Sequence, residues 1–380
     1  MNPHAKKVTV AGAGLVGSLL GLLLRRQGYE VQILERRSDP RLAAKEVGRS
    51  INLIVTSRGL EGLRQAGIKD QALELCVPVY GREIHKSNAP TRYQAYGRNR
   101  ECNFAISRSD LNNFLIDEAI KAGVEINFDS VITAVDFNEQ TLEIQNRSSQ
   151  QYEVLIGTDG ANSAVRRALL KADEDISENV EWLEADYKEL HMTKTMAQGL
   201  RGDALHIWPH GTHMMMALAN RDGSFTMTLY LPRSSKIDPV ASFENCNTAS
   251  AIENLFRRDF PDLIDRIPDY VSQFQKNPQG RLGTVRLSRW IHGGNVAVMG
   301  DAAHAIVPFF GQGMNSGFED ATELMRLLHG EQNQQENTWR QVLEKYDFQR
   351  RPNANAIADM ALDNYVEMRD RVADPRFHEM

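Results

Sequence analysis

Short apolar bursts separated by polar turns dominate the first half of the chain. Lys7–Ala11 predicts an apolar strand, Leu15–Gln27 an apolar helix and Glu30–Glu35 a second strand, together one βαβ unit. Arg49–Val55 reads as extended. Ser109–Ala122 predicts a helix with Ser109 as N-cap and Gly123 as its stop. Val124–Phe128, Val131–Phe137 and Thr141–Gln145 read as strands, and Val154–Gly157 as a buried strand feeding a helix through Ala164–Leu170. The texture then changes. Ala204–Pro209, His213–Ala219 and Ser224–Leu231 are rich in β-branched, aromatic and Met residues, with turns at Pro209–Gly211 and Asn220–Gly223, which predicts an antiparallel meander. Asn295–Gly300 returns to a buried strand, and helices follow. Glu331–Asn337 is a polar linker. Ile357, Met360, Ala361, Tyr365, Met368 and Val372 recur at helical spacing within Asn353–Val372, with Asn364 on the same apolar face. A polar side chain there needs a partner, either a ligand or a backbone group in the core.

Composition narrows the class. With 380 residues, 42% hydrophobic and 25% charged, the chain matches a soluble globular protein of about two domains. A net charge of −6, with no long basic run, argues against a nucleic-acid partner. Cys76, Cys102 and Cys246 form no metal or disulfide pattern and suit a reducing compartment. Strand character begins so near Met1 that no signal peptide is expected, and Arg25–Arg26 interrupts the apolar run short of a membrane span. The expectation is a cytoplasmic protein with a small-molecule substrate, no membrane span and no metal. Oligomeric state is not legible.

Gly12-Ala13-Gly14-Leu15-Val16-Gly17 lies between the first strand and helix. In such a G-x-G-x-x-G turn the first glycine permits the bend, the second lets backbone approach a pyrophosphate and the third lets helix and strand pack closely. Glu35, ending the second strand before Arg36, can accept from ribose hydroxyls and disfavours a 2′-phosphate, leaving NAD and FAD. Two distant segments decide. Asp159-Gly160-Ala161-Asn162-Ser163 resembles the D-G segment of flavoprotein monooxygenases. Gly300-Asp301-Ala302-Ala303-His304, with Pro308 and Gly311-Gln312-Gly313-Met314-Asn315, resembles their second flavin motif. There Asp301 can hold ribityl hydroxyls, Gly311 and Gly313 let backbone amides reach the ring, and a helix starting near Gln312 aims its positive end at the flavin. FAD, held non-covalently, is the expected cofactor.

Gly48-Arg49-Ser50-Ile51-Asn52-Leu53, Ile106 through Asn112, Tyr187-Lys188-Glu189-Leu190, Leu205 through Pro209, Arg351-Pro352-Asn353-Ala354 and Asn364 through Met368 extend the likeness. Together they resemble kynurenine 3-monooxygenases over nearly the whole chain. The resemblance implies a Rossmann-like α/β FAD-binding domain (1–175, with 76–103 contributing to the substrate pocket). It further implies an inserted, mainly antiparallel substrate sheet (176–280), a return to the FAD domain (281–335) and C-terminal helices (336–380). It implies NADPH as transient co-substrate, O2, and hydroxylation of L-kynurenine to 3-hydroxykynurenine through a C4a-hydroperoxyflavin, in tryptophan degradation toward NAD biosynthesis. No acid–base residue is implied, and His304 and His85 are assigned no role.

The resemblance also distributes residues. It puts Arg82 on the substrate carboxylate with Tyr96 beside it, and Asn364 and Glu367 nearby. Leu205, Ile207, Met216, Leu218, Tyr230, Pro308 and Phe309 match positions lining the ring slot. Arg108 matches an FAD-contacting arginine, and the D-G motif places Asp159 at the cofactor. By themselves, Arg82 also reads as a surface charge, Tyr96 as an ordinary half-buried tyrosine and the slot residues as core. The family continues beyond Asn364 with a tail covering the pocket, whereas this sequence stops at Met380; retained FAD binding with weaker coupling of NADPH use to hydroxylation is expected. Two alternatives stand beside this reading: a related flavin hydroxylase of another aromatic acid, and a flavin-binding chain that oxidises NADPH mostly without product.

Overall fold

The structure, a computed structural model, describes residues 6–42, 52–86, 90–330 and 338–368. The extended segment expected from Arg49 is described from Asn52. Gly48–Ile51, the linker 331–337, Val372 and the chain end lie outside the described residues.

The first βαβ unit forms Lys7–Ala11, Leu15–Arg26 and Glu30–Leu34. Its strands sit mid-sheet, in the order Ile291–His292, Val296–Val298, Val154–Gly157, Lys7–Ala11, Glu30–Leu34, Glu125–Asn127. Pairing is parallel except at Ile291–His292. Both faces of such a sheet are covered, so Val8, Val10, Ile33, Leu155 and Ile156 are fully buried, and the helix Leu15–Arg26 is buried on nearly all sides. Burying a leucine of that helix stabilises by about 1.5–3 kcal/mol.

A seven-stranded sheet runs Gly280–Leu287, Glu178–Met192, Phe225–Pro232, Met214–Ala219, Ala204–Pro209, Gly81–Ile84, Arg92–Ala95. It is antiparallel save for one junction: Ala204–Pro209 pairs parallel with Gly81–Ile84. That junction brings the early segment carrying Arg82 beside the meander. Side chains alternate across the sheet. Met227, Leu229 and Leu231 face a core closed by helices Ala249–Asp259 and Tyr270–Lys276, while Thr226, Thr228 and Tyr230 face a cavity.

Three expectations are corrected. The 15-residue strand Glu178–Met192 was not foreseen. The cap of the helix Arg108–Lys121 is Ser107, whose Oγ accepts from Asp110 N at 3.4 Å; Ser109 lies one residue inside and bonds to Ser107. The last helix spans Trp339–Val366, starting well before Asn353, and Met360 on it is 50% exposed rather than on the apolar face. Thr338 starts it with a capping box to Gln341. No helix among the described residues is long and apolar enough to cross a membrane.

Candidate active site

One continuous cavity of about 750 Å³ runs from the Gly12–Gly14 turn, past the strand ends of the parallel sheet, to the inner face of the seven-stranded sheet. At its first end Gly12 adopts φ +99°, which favours glycine, and its N–H donates to Leu34 O at 2.8 Å. A Cβ on Gly14 would meet no atom within 4 Å, so the space above it lies open at the positive end of the helix Leu15–Arg26. A Cβ on Gly17 would come 2.0 Å from Gly12 O; this glycine packs the helix and does not line the cavity.

Glu35 is 3% exposed. Its carboxylate accepts from Ala13 N at 2.8 Å, Arg37 N at 2.9 Å and Arg37 Nε at 2.8 Å. Burial pushes its pKa up, but the Arg37 hydrogen bonds and charge outweigh this and hold it below the usual carboxylate range. A ribose hydroxyl here would share an oxygen with Arg37, whose half-exposed side chain can swing aside. Leu15, Arg36, Arg37, Arg108 and Asp301 line the cavity. Asp159 lines it too, while its carboxylate caps the helix Ala164–Ala172 through Ser163 Oγ (2.5 Å) and Ala164 N (2.6 Å).

The second motif behaves as a turn built for approach. Gly311 has φ +63°, and its N–H is used within the turn, to Pro308 O at 2.9 Å, rather than offered to the cavity. Gln312, Gly313 and Met314 line the cavity at the start of the 17-residue helix Gly313–His329. Asn315 does not. Fully buried, it accepts from Thr56 N (2.9 Å) and donates to Ile54 O and Gly311 O (2.7 Å each), clamping the turn to the strand Asn52–Val55. Below the turn, Asp320 accepts from Gly300 N (3.0 Å), His304 Nε2 (2.5 Å) and Arg350 Nε (2.9 Å), all buried.

The residues present fit a flavin dinucleotide. Besides the open space at Gly14, two cavity-lining residues, Asn52 and Thr56, hold Oδ1 and Oγ1 atoms that are buried without a hydrogen-bond partner among the described residues. Buried polar atoms of this kind need a ligand or water. Neither had been singled out, although Asn52 stood within a quoted motif.

At the other end Arg82, Tyr96, Leu205, Met216, Leu218, Tyr230, Pro308, Phe309 and Asn364 line the cavity together. Arg82 Nε donates to Gln94 Oε1 at 2.7 Å, and its Nη2 lies 4.0 Å from Glu367 Oε1. Glu367 is reached through Arg82 rather than through the cavity wall. Asn364 donates to Phe309 O at 2.5 Å, the backbone contact weighed above, and still faces the cavity. Ile207 is fully buried with Met214, Tyr230 and Tyr365 beneath the slot and does not line it.

On the neighbouring strand, register places Glu189 beside Thr228 and Tyr187 beside Tyr230. Burial raises the Glu189 carboxyl to about 7, against the opposing charge of Arg108, and its Oε2 has no hydrogen-bond partner among the described residues. The native state therefore keeps this proton to higher pH than the unfolded chain does. The group's contribution to stability is full below the ordinary value of 4.5 and is lost as pH rises through about 7. Glu189→Gln should thus gain stability relative to the parent between pH 5 and pH 8. A difference in denaturation midpoint that stays constant over that range would contradict the assignment.

Known proteins resemble this chain over nearly its whole length. A family model described as an FAD binding domain matches residues 5–361. A kynurenine 3-monooxygenase of Stenotrophomonas maltophilia (strain K279a) is 42% identical over 99% of this chain and 83% of its own length. One from Myxococcus xanthus (strain DK1622) is 44% identical over 97% and 80%. Among solved structures, tetrameric 2-methyl-3-hydroxypyridine-5-carboxylic acid oxygenase superposes with TM-score 0.77 at 21% identity, over 96% of this chain and 92% of that one. PqsL of Pseudomonas aeruginosa, in complex with 2-aminobenzoylacetate, gives 0.76 at 19%, over 98% and 99%. At those identities the two structures speak to the fold.

Proposed function

This chain belongs to the kynurenine 3-monooxygenase family of FAD-binding enzymes, and from that premise we propose that it hydroxylates L-kynurenine to 3-hydroxykynurenine with NADPH and O2. That it is an FAD-dependent monooxygenase follows from the family; the substrate and the residue roles are our reading. The observation that carries it is the single cavity joining the dinucleotide turn to an apolar slot that ends in a guanidinium.

Kynurenine has a carboxylate, an ammonium, a ketone and an aniline ring. Arg82 is suited to hold the carboxylate, since a guanidinium fork matches it with two parallel charge-assisted bonds. Its partner Gln94 fixes the fork's orientation, and Glu367 lies 4.0 Å from its Nη2 as a second neighbour of the guanidinium. Leu205, Met216, Leu218, Tyr230, Pro308 and Phe309 supply an apolar slot for the ring, with Tyr96 at its half-exposed rim. Bound FAD would supply the redox chemistry by which NADPH and O2 hydroxylate the ring, the second oxygen atom leaving as water. The chain's own work is to orient the ring carbon beside the amino group, which that group already makes electron-rich, and to keep water away. No side-chain base is required.

Arg82→Ala is expected to weaken kynurenine binding by roughly 1.5–3 kcal/mol, or about 10–150-fold. Arg82→Lys should recover part of that, because an ammonium cannot form the planar pair. The check is a titration of kynurenine against the flavin absorbance of each variant. Unchanged affinity in flavin-loaded Arg82→Ala would sink the assignment of Arg82 to the carboxylate.

A further inference from the structure

The face of the seven-stranded sheet opposite the cavity carries a second group of polar side chains. Register pairs Glu83 with His206 on adjacent parallel strands. Arg82 and Leu205, their chain neighbours, line the cavity, so by alternation Glu83 and His206 project from the other side. His85 follows the strand, with its backbone N–H on Ile207 O at 2.8 Å and its ring stacked on Trp208 at 4.1 Å.

The hydrogen bonds assign the protons. His206 Nε2 lies 2.8 Å from Arg201 O; a carbonyl only accepts, so Nε2 carries the hydrogen and Nδ1 presents a lone pair. That Nδ1 is 2.8 Å from His85 Nε2 and 3.4 Å from Glu83 Oε2. One hydrogen on His85 Nε2 accounts for the first contact. In this tautomer Nδ1 has no hydrogen of its own to offer the carboxylate oxygen that it faces. His206 is fully buried and Glu83 largely so, which leaves water little room to soften that opposition. The three atoms lie within 4.8 Å of one another.

We propose that Glu83, His85 and His206 form a site for one divalent transition ion of the zinc class, with an outer position left to water. Two imidazoles and a carboxylate are a zinc ligand set, and ligand distances of about 2.0–2.2 Å put tetrahedral donor atoms roughly 3.3 Å apart. Opening the His85–His206 contact by about half an ångström reaches that spacing. Arg201 O already orients His206 through its second nitrogen, the arrangement metal-binding histidines require. The nearby guanidinium groups are engaged elsewhere, Arg201 on Asp203 (2.9 Å) and Arg266 on Met196 O and Gln198 O (2.9 and 3.0 Å). A comparable group, His210, His213 and Asp259, is disfavoured because Arg258 occupies both Asp259 oxygens at 2.8 and 2.6 Å. The site is separate from the cavity, so the inference stands whatever the substrate is.

The test is equilibrium dialysis of the tag-free, FAD-loaded protein against zinc chloride, with bound zinc measured directly and Trp208 fluorescence followed in parallel. One zinc per chain is expected, with a change in emission because His85 stacks on Trp208. His85→Ala and Glu83→Gln should each weaken binding at least about tenfold. Trp208→Phe should keep the zinc and lose the emission change. Glu83→Gln preserves side-chain shape, and flavin absorbance reports that each variant is folded. No zinc bound by the parent, affinity unchanged in both ligand variants, or loss in His213→Ala instead, would each overturn the proposal.

Discussion

Gly14→Val is expected to give a folded protein without flavin. At φ −73° and ψ −177° the backbone of Gly14 is open to any residue, and no atom within 4 Å would meet the new Cβ. The added side chain instead occupies the space over the helix N-terminus where a pyrophosphate must approach the amides. Losing two charge-assisted bonds of about 1.5–3 kcal/mol each should weaken FAD binding roughly 100- to 20,000-fold. Gly17→Ala separates the two roles of the motif. Its Cβ would sit 2.0 Å from Gly12 O and 2.4 Å from Thr158 Oγ1, so folding itself should suffer. Flavin absorbance per protein, alongside circular dichroism, distinguishes the two outcomes. Gly14→Val recovered with full flavin would contradict the placement of the cofactor.

Asp320→Ala should cost about 3–5 kcal/mol, a large part of the stability of an ordinary domain. Asp320 is fully buried and Arg350 is 2% exposed, so removing the carboxylate leaves a buried guanidinium with Glu319 as its one remaining carboxylate partner. Burial alone would raise the Asp320 pKa; the charges of His304 and Arg350 hold it below its ordinary value. Asp320 also accepts from Gly300 N, so its loss loosens the turn that presents Asp301 to the cavity. Arg350 retains Glu319 at 2.8 Å, which places the expected loss toward the lower end. Adding Arg350→Met to Asp320→Ala should recover part of the stability, because the buried charge that Glu319 alone compensates goes with it. Urea denaturation of the parent and both variants checks this; a double variant no better than the single would show that lost packing, not the buried charge, sets the cost.

What the sequence revealed of this architecture follows the range of the forces involved. The first βαβ unit was legible because its apolar runs and glycines act within a few residues of one another. Glu178–Met192 was not. Its first half is largely exposed, and it carries charged residues that resemble a loop. Their partners lie far along the chain: Asp186 meets Arg233 at 3.0 Å, and Lys188 donates to Phe274 O at 2.6 Å. Asn315 illustrates the converse error. An asparagine closing a glycine-rich flavin motif resembles a cofactor contact, yet its three hydrogen bonds all go to backbone and clamp the turn to the neighbouring strand. Ser107 and Ser109, two hydroxyls two residues apart, are equivalent by composition, and only backbone geometry chooses the cap. At the far end of the cavity, Arg82, Tyr96 and Asn364 were gathered by resemblance. Their convergence depends on the parallel junction of two strands, which no local pattern announces.

The most direct test of the central claim is a product assay on the FAD-loaded enzyme, with NADPH, L-kynurenine and isotopically labelled O2. NADPH consumed, hydrogen peroxide released and 3-hydroxykynurenine formed are measured together. The account predicts NADPH oxidation that accelerates with kynurenine and 3-hydroxykynurenine carrying one labelled oxygen atom. NADPH oxidation indifferent to kynurenine, with no hydroxylated product, would contradict it.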